Sequence, residues 1–215
     1  LSRTYNSEEE PPHDIRIERT RARLAEAVLT LAAESDIAGV SVAELARRAG
    51  VNRSTFYDHA QSPVELLTRV LSQDLDHMRR TGMEQLRRDG QLLRYLTRST
   101  LREIIRHVVR HEAIYAGPSC SSSTFALRVV LAEHIEQSML TILGEGFVSM
   151  PVADDQLVPL MAAFLGHGAA GAIEAWLGLP SPRDEDRLLS TIEAMYPPWL
   201  APVMGTEQDE VSPPL

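Results

Sequence analysis

Apolar residues recur at helical spacing along most of the chain, and no alternating stretch competes as a strand. Ile17, Leu24, Val28 and Leu31 mark one face of a first helix over 14–35. Val42, Leu45, Ala46 and Ala49 fall at i, i+3, i+4 and i+7, which predicts a short second helix over 42–49. Further periodic stretches predict helices over 53–59, 63–81, 85–115, 123–144, 156–178 and 183–195, with an additional break near Gly90. The intervening breaks carry turn chemistry: Gly117-Pro118 with the serines after it, Gly144 to Pro151, and Gly178 to Pro182. The expected fold class is therefore all-α. Residues 1–13, which include Glu8-Glu9-Glu10-Pro11-Pro12, read as a solvated arm, and residues 201–215, rich in Pro and acid, read as a frayed tail.

The most specific stretch is 41–59. Ser41 is placed to cap the helix over 42–49, with Glu44 three residues on, and Gly50 follows the last apolar position, where a left-handed residue ends a helix at little cost. Val51 and Phe56 then anchor a very short second helix. Asn52, Arg53, Ser54, Thr55, Tyr57 and His59 are left facing outward, which is the pattern of a helix-turn-helix offering donors to a DNA major groove.

The run Thr55-Phe56-Tyr57-Asp58-His59, a short polar loop, and then Val64-Glu65-Leu66-Leu67 opening another helix resembles the TetR family of transcriptional regulators over residues 14–70. Beyond that stretch the likeness lies in length, the all-helical pattern and a Gly/Ala-rich helix ending in IEAWLGL. The resemblance implies a three-helix DNA-binding domain over 14–60, followed over 61–200 by a larger helical domain for ligand binding and dimerisation. It also implies roles for individual residues. Tyr57 and His59 match positions that hold phosphates, and Ser41 at the start of its helix can join them. Arg53, Ser54 and Thr55 match positions nearest the base edges, where an arginine can bind guanine through two hydrogen bonds. The chain departs from the family after the reading helix: an aromatic and then a lysine are usual there, whereas here the loop is Ala60-Gln61-Ser62-Pro63. Arg19, Arg21 and Arg23 are candidate substitutes for the missing backbone contact, against the plainer reading of a solvated face balanced by Glu18 and Glu26.

Charge narrows how DNA would be held. The 215 residues carry a net charge of −9 with no lysine, so all 21 basic residues are arginine. Residues 61–110 are net +4 and residues 111–215 net −11, which excludes a broadly basic nucleic-acid coat and requires local recognition. Cys120 is the one cysteine, so no disulfide closes within the chain, and no basic-then-apolar leader opens it; the expected location is cytoplasmic. The near-apolar run Leu157 to Leu179 is long enough to raise a membrane question, and Gly166 and Ala170 have small-xxx-small spacing. His167, Glu174 and Pro159 inside it, and the lack of basic flanks, favour a buried helix and no membrane partner.

Gly166, Gly168 and Gly171 would each cost a helix about 1 kcal/mol relative to alanine, so their presence predicts close backbone approach. The family resemblance places that approach in a four-helix interface between two copies, formed with the helix over 183–195; packing within one subunit is the alternative. For an unidentified small-molecule effector, the candidate polar groups are Arg102, Tyr115, His134 and His167, with Phe125, Met139 and Trp176 as walls, although each residue also reads as ordinary core or surface. His107 and His111 at i, i+4 have Glu103 nearby, but a third strong ligand is missing and Arg106 and Arg110 oppose a cation, so neither metal nor cofactor is expected. Arg94, Arg98, Arg102, Arg106 and Arg110 recur every fourth residue as a solvated face or as a docking stripe for an anion or the acidic C-terminal half. Catalytic motifs are lacking: Cys120 has no base at fixed spacing, and there is no HExxH, phosphate-cradling Gly loop or G-x-S-x-G elbow. The reading is a non-enzymatic, homodimeric, ligand-responsive repressor that binds double-stranded operator DNA. The competing reading is a helical small-molecule-binding or protein-interaction module that has lost operator binding.

Overall fold

The structure is a computed structural model that describes residues 13–89, 93–116, 122–151 and 154–200; for residues 13, 14, 93–96, 122–125 and 155 it describes the backbone alone. Among these residues every regular element is helical: α1 (His13–Glu34), α2 (Val42–Ala49), α3 (Arg53–Tyr57), α4 (Pro63–Arg88), α5 (Leu93–Arg110), α6 (Glu112–Tyr115), α7 (Ser122–Gly144), α8 (Val158–Leu177) and α9 (Glu185–Met195), with short 3-10 turns at Ile37–Gly39 and Asp155–Leu157. The expected arm and tail, the break near Gly90, Cys120 and the side chain of Phe125 lie outside the described residues. The chain forms two compact units that divide at Leu67/Thr68, inside α4.

The first unit has a small core. Leu24, Val28 and Leu31 of α1 are buried, as are Ile37, Leu45 and Ala46 of the turn and α2, and Phe56 of α3. An ion pair from Arg48 to Glu34 at 2.6 Å, exposed to solvent, joins α2 to α1. Such a surface pair adds little stability, so the apolar burial is what holds the helices.

In the second unit α4 continues through the break expected between 81 and 85. Gly82 is buried within the helix rather than ending it; a Cβ there would stand 3.1 Å from Thr100 Oγ1, so the missing side chain makes room for α5. Residues 85–115, expected as helix with a break near Gly90, are divided between the end of α4, α5 and the single-turn α6. Three arginines of the stripe on α5 dock onto the acids of α9, while the side chain of Arg94 lies outside the described residues. Arg98 pairs with Glu193, Arg102 with Asp186 at 2.7 Å and Arg106 with Glu185 at 3.9 Å. Glu193 is buried, so its pair with Arg98 is the one whose rupture would leave a charge out of water.

The three glycines of α8 do different things. A Cβ on Gly166 would lie 2.5 Å from the backbone nitrogen of Glu136 and 2.6 Å from its Cα, so α7 and α8 touch backbone to backbone there. Gly168 and Gly171 face open space. For Gly166 the close approach is therefore within one subunit, the alternative reading of the sequence. α8 has the length and composition of a membrane span, with mean hydropathy 1.3. Yet it buries Val158, Ala162, Leu165, Ala169 and Ile173 within this unit, as a core helix does. Its opposite side stays bare: Leu160 and Phe164 are exposed, the latter by 79%, and they line up at helical spacing with Gly168, Gly171, Ala175 and Leu179. At the α8–α9 corner Arg183 donates to the carbonyls of Leu177 and Leu179, both at 2.9 Å, pairs with Glu112 and lies 5.3 Å from the Trp176 ring centroid.

Candidate functional site

The geometry of the first unit is built from caps. Ser41 Oγ accepts the Glu44 N–H and starts α2. Gly50 ends it with φ 65° and ψ 34°, the Gly50 N–H donating to Arg47 and the Val51 N–H to Ala46, which is a Schellman closure. The chain leaves in extended form through Asn52, whose Oδ1 accepts the Thr55 N–H at 2.7 Å and the Ser54 hydroxyl at 2.7 Å. Asn52, expected to face outward as a free donor, is thus the N-cap of α3, and the Ser54 hydroxyl is held by it.

Phe56 is fully buried and pins α3 to the unit. Its neighbour Tyr57 is 59% exposed, and Arg53 is exposed as well. The Tyr57 ring meets Phe56 edge-on, with centroids 5.6 Å apart, and leaves most of its surface in water. Thr55 and His59 are half-buried on the same short segment, and Ser41 is exposed at the start of α2. α3 ends at Tyr57 rather than 59, because the N–H groups of Asp58, His59 and Ala60 close onto Ser54 and Phe56 as turns.

The Ala60-Gln61-Ser62-Pro63 loop forms a cap in turn. Ser62 Oγ accepts the Glu65 N–H at 3.1 Å, and Glu65 Oε2 accepts the Gln61 N–H at 2.9 Å, a close variant of the capping box with Pro63 at the first helical position. Its polar side chains organise the start of α4. Of the alternative cations on α1, Arg21 pairs with Glu18 at 2.7 Å, while Arg19 and Arg23 are exposed.

The six effector candidates with described side chains do not converge. Met139 lines a narrow apolar cavity of about 30 Å³, with Leu86, Leu101, Ile104 and the hydroxyl-bearing Ser138 and Tyr196. His134 lines a separate polar hollow of about 180 Å³ beside Ser72, Asp76 and Glu133. Trp176 borders an outward groove of about 710 Å³ between α8 and α9. Tyr115 is buried with its hydroxyl 3.3 Å from His107 Nε2, Arg102 is committed to Asp186, and His167 is exposed against Glu136 at 3.1 Å. Phe125 lies outside the described side chains.

Tyr196 was not singled out from the sequence, where it sits beside Pro197 like any helix-end aromatic. Its hydroxyl is buried without a partner, and burial pushes the phenol well above its ordinary range. The cavity it lines has room for about one water, so a metabolite enters only if the surrounding helices part.

His134 has both ring nitrogens buried without a hydrogen-bond partner, and burial first, then the Arg79 charge, lowers it to about 4, against the opposing pull of Asp76. Folding thus favours the neutral ring. Between its unfolded value of 6.5 and about 4 the unfolded chain binds the proton that the fold refuses. Stability from this group is intact above pH 6.5 and lost as pH falls, by about 2 kcal/mol at pH 5. Urea midpoints at pH 7 and pH 5 check this: His134→Gln should shrink the pH-dependent drop, and an unchanged drop would clear His134 of the effect.

A short, capped α3 packed against α2 through one buried aromatic, presenting an exposed Arg and Tyr, has the arrangement of a helix-turn-helix. Residues 24–70 match the family model for bacterial regulatory proteins of the tetR family. An uncharacterised HTH-type transcriptional regulator of Bacillus subtilis, YxbF, is 36% identical over 76 residues, covering 33% of this chain and 20% of the relative. The chain thus spans about a fifth of the length of that curated relative. Among solved structures, the dihydroxyacetone kinase operon activator DhaS is similar with a TM-score of 0.60 at 16% identity, covering 86% of this chain and 96% of that one. FadR of Thermus thermophilus, a TetR-family repressor in complex with lauroyl-CoA, is similar with a TM-score of 0.56 at 17% identity, covering 90% and 100%. At these identities the structural likeness speaks to the all-α fold.

Proposed function

We propose that this chain is a homodimeric transcriptional regulator that binds operator DNA through α3 and releases it when a small molecule enters the second unit. The observation that carries the reading is the outward face of α3, where Arg53 and Tyr57 are exposed and take no part in the helix caps. Arg53, with Thr55 and Ser54 beside it, reads base edges. Tyr57, His59 and Ser41 hold phosphates. The Ser54 hydroxyl proton is engaged by Asn52, which leaves Ser54 an acceptor and makes Arg53 the principal donor to base edges.

The partner copy is supported by the bare face of α8. A single subunit gives no reason for Leu160 and Phe164 to stand in water beside glycines that touch nothing. Paired across a two-fold axis, the small residues let two α8 helices approach, and two α3 helices then engage half-sites about 34 Å apart. Repression relieved by an effector agrees with the lauroyl-CoA complex of the Thermus FadR, and the lining around Met139 and Tyr196 is apolar, as a largely apolar molecule entering between parted helices requires. A hundredfold weakening of DNA binding needs about 2.7 kcal/mol of difference between the two states. Such a regulator works in the cytoplasm without catalysis.

Two substitutions separate reading from holding. Tyr57→Phe keeps the ring and removes the donor, so it should weaken binding to all operator variants alike, whereas Arg53→Ala should relax preference at one position per half-site by about 1–3 kcal/mol. Affinities measured across a panel of operator variants decide. Equal, sequence-independent losses from both changes would remove Arg53 from the reading role.

A further inference from the structure

The second unit brings together two imidazoles and a carboxylate that the sequence keeps apart. His107 on α5 and His111, which follows the last residue of α5, are held at i, i+4 by the His111 N–H donating to the His107 carbonyl at 3.1 Å. Asp74 arrives from α4, and one ligand-type atom from each of the three residues lies within 4.8 Å of the others. Glu103, the carboxylate suggested by sequence proximity, is exposed and outside this group.

The environment is graded. His107 is buried, His111 half-buried and Asp74 exposed, so the cluster runs from the core to solvent and has an entry path. The His107 ring is 1% exposed; Nε2 faces the Tyr115 hydroxyl at 3.3 Å, and Nδ1 is buried with no partner at all. A buried ring nitrogen without a partner is costly, and packing alone gives no compensation for it. The two imidazole rings are tilted at 60° with centroids 4.9 Å apart, an arrangement that small rotations turn into convergent lone pairs. Of the arginines expected to repel a cation, Arg106 is engaged with Glu185, while Arg110 is exposed and Asp74 supplies the opposing charge.

We propose that Asp74, His107 and His111 form a binding site for a divalent transition-metal ion. Two nitrogens and one carboxylate oxygen suit zinc, cobalt, nickel or ferrous iron, and not magnesium or calcium, which prefer oxygen. Three protein ligands with one side open to solvent leave coordination positions for water or for an oxygen-bearing molecule. The site rests on residues of the second unit alone, so it stands whether or not α3 reads DNA.

Cobalt(II) is the probe, because bound cobalt absorbs in the visible. Tag-free, chelator-treated full chain should develop d–d bands at one equivalent, lose them on adding zinc, and keep them in excess magnesium. Asp74→Ala and His111→Ala change exposed or half-buried positions, so both should fold, which circular dichroism checks. Each should weaken cobalt binding by more than about tenfold, the lower end of what losing even an outer partner of a metal ligand costs. His167→Ala removes the imidazole of a separate histidine–carboxylate pair, with Glu136, and should bind as the parent does. Absence of bands, equal affinity in all four proteins, or a loss confined to His167→Ala would overturn the proposal.

Discussion

Gly171→Leu is expected to turn a dimer into a monomer and to abolish tight operator binding with it. Gly171 is exposed on α8 and a Cβ there meets nothing within its own subunit, so the monomer fold tolerates the larger side chain. Leucine would even raise local helix propensity by about 1 kcal/mol relative to glycine. The damage arises between copies, where a branched side chain in the middle of the Leu160, Phe164, Gly168, Gly171, Ala175 and Leu179 stripe keeps two backbones apart. A lone headpiece then engages one half-site, and the advantage of linked binding is gone. Sedimentation of the purified variant checks the first step, and operator titration the second. A stable dimer with unchanged affinity would move the interface away from this face.

Gly166→Ala should do the opposite, damaging the subunit and not the assembly. The added methyl would sit 2.5 Å from the Glu136 nitrogen, and because the obstacle is α7 backbone there is no flexible side chain to yield. Forcing α7 and α8 apart costs about 1–3 kcal/mol as overpacking, against a helix-propensity gain of about 1 kcal/mol. Gly168→Ala, two residues on and open to space within its own subunit, isolates that gain when both changes are made in the monomeric Gly171→Leu background. Urea unfolding of both variants should place the Gly166→Ala midpoint below the parent and the Gly168→Ala midpoint at or above it. Two similar midpoints would contradict the backbone contact.

The contrast between these glycines explains which parts of the molecule were legible in sequence. Local chemistry was legible: Ser41 and Gly50 cap α2 where their residue types predict, and α2 spans 42–49 as read. Phe56 and Tyr57 were separable into anchor and exposed residue because a five-residue helix offers so few apolar positions. Contacts between distant segments were not. Gly82 reads as a helix break until Thr100 of α5 is found against it, and Gly166 reads like Gly168 until α7 is found beside it.

The same limit governs the candidate sites. Asn52 faces outward as read, but a residue that precedes a helix and can cap it is used locally first: its Oδ1 starts α3. No periodicity places Asp74 of α4 next to His107, or Tyr196 in the cavity with Met139. Effector candidates chosen by residue type alone scattered into ion pairs, a polar hollow and an outer groove, because burial and partners are set by helices far apart in sequence.

Selecting genomic fragments with the purified full chain tests the central claim most directly. Sheared DNA from the source organism is incubated with the protein, the bound fraction is sequenced, and the selection is repeated with Arg53→Ala. The account predicts enrichment of a few loci sharing a two-fold-symmetric site with half-site centres about one helical turn, roughly 34 Å, apart. It also predicts that Arg53→Ala blurs one base pair in each half. No enriched site above background, with a well-folded dimer in hand, would contradict it and leave a helical ligand-binding or protein-interaction module that keeps the headpiece without reading DNA.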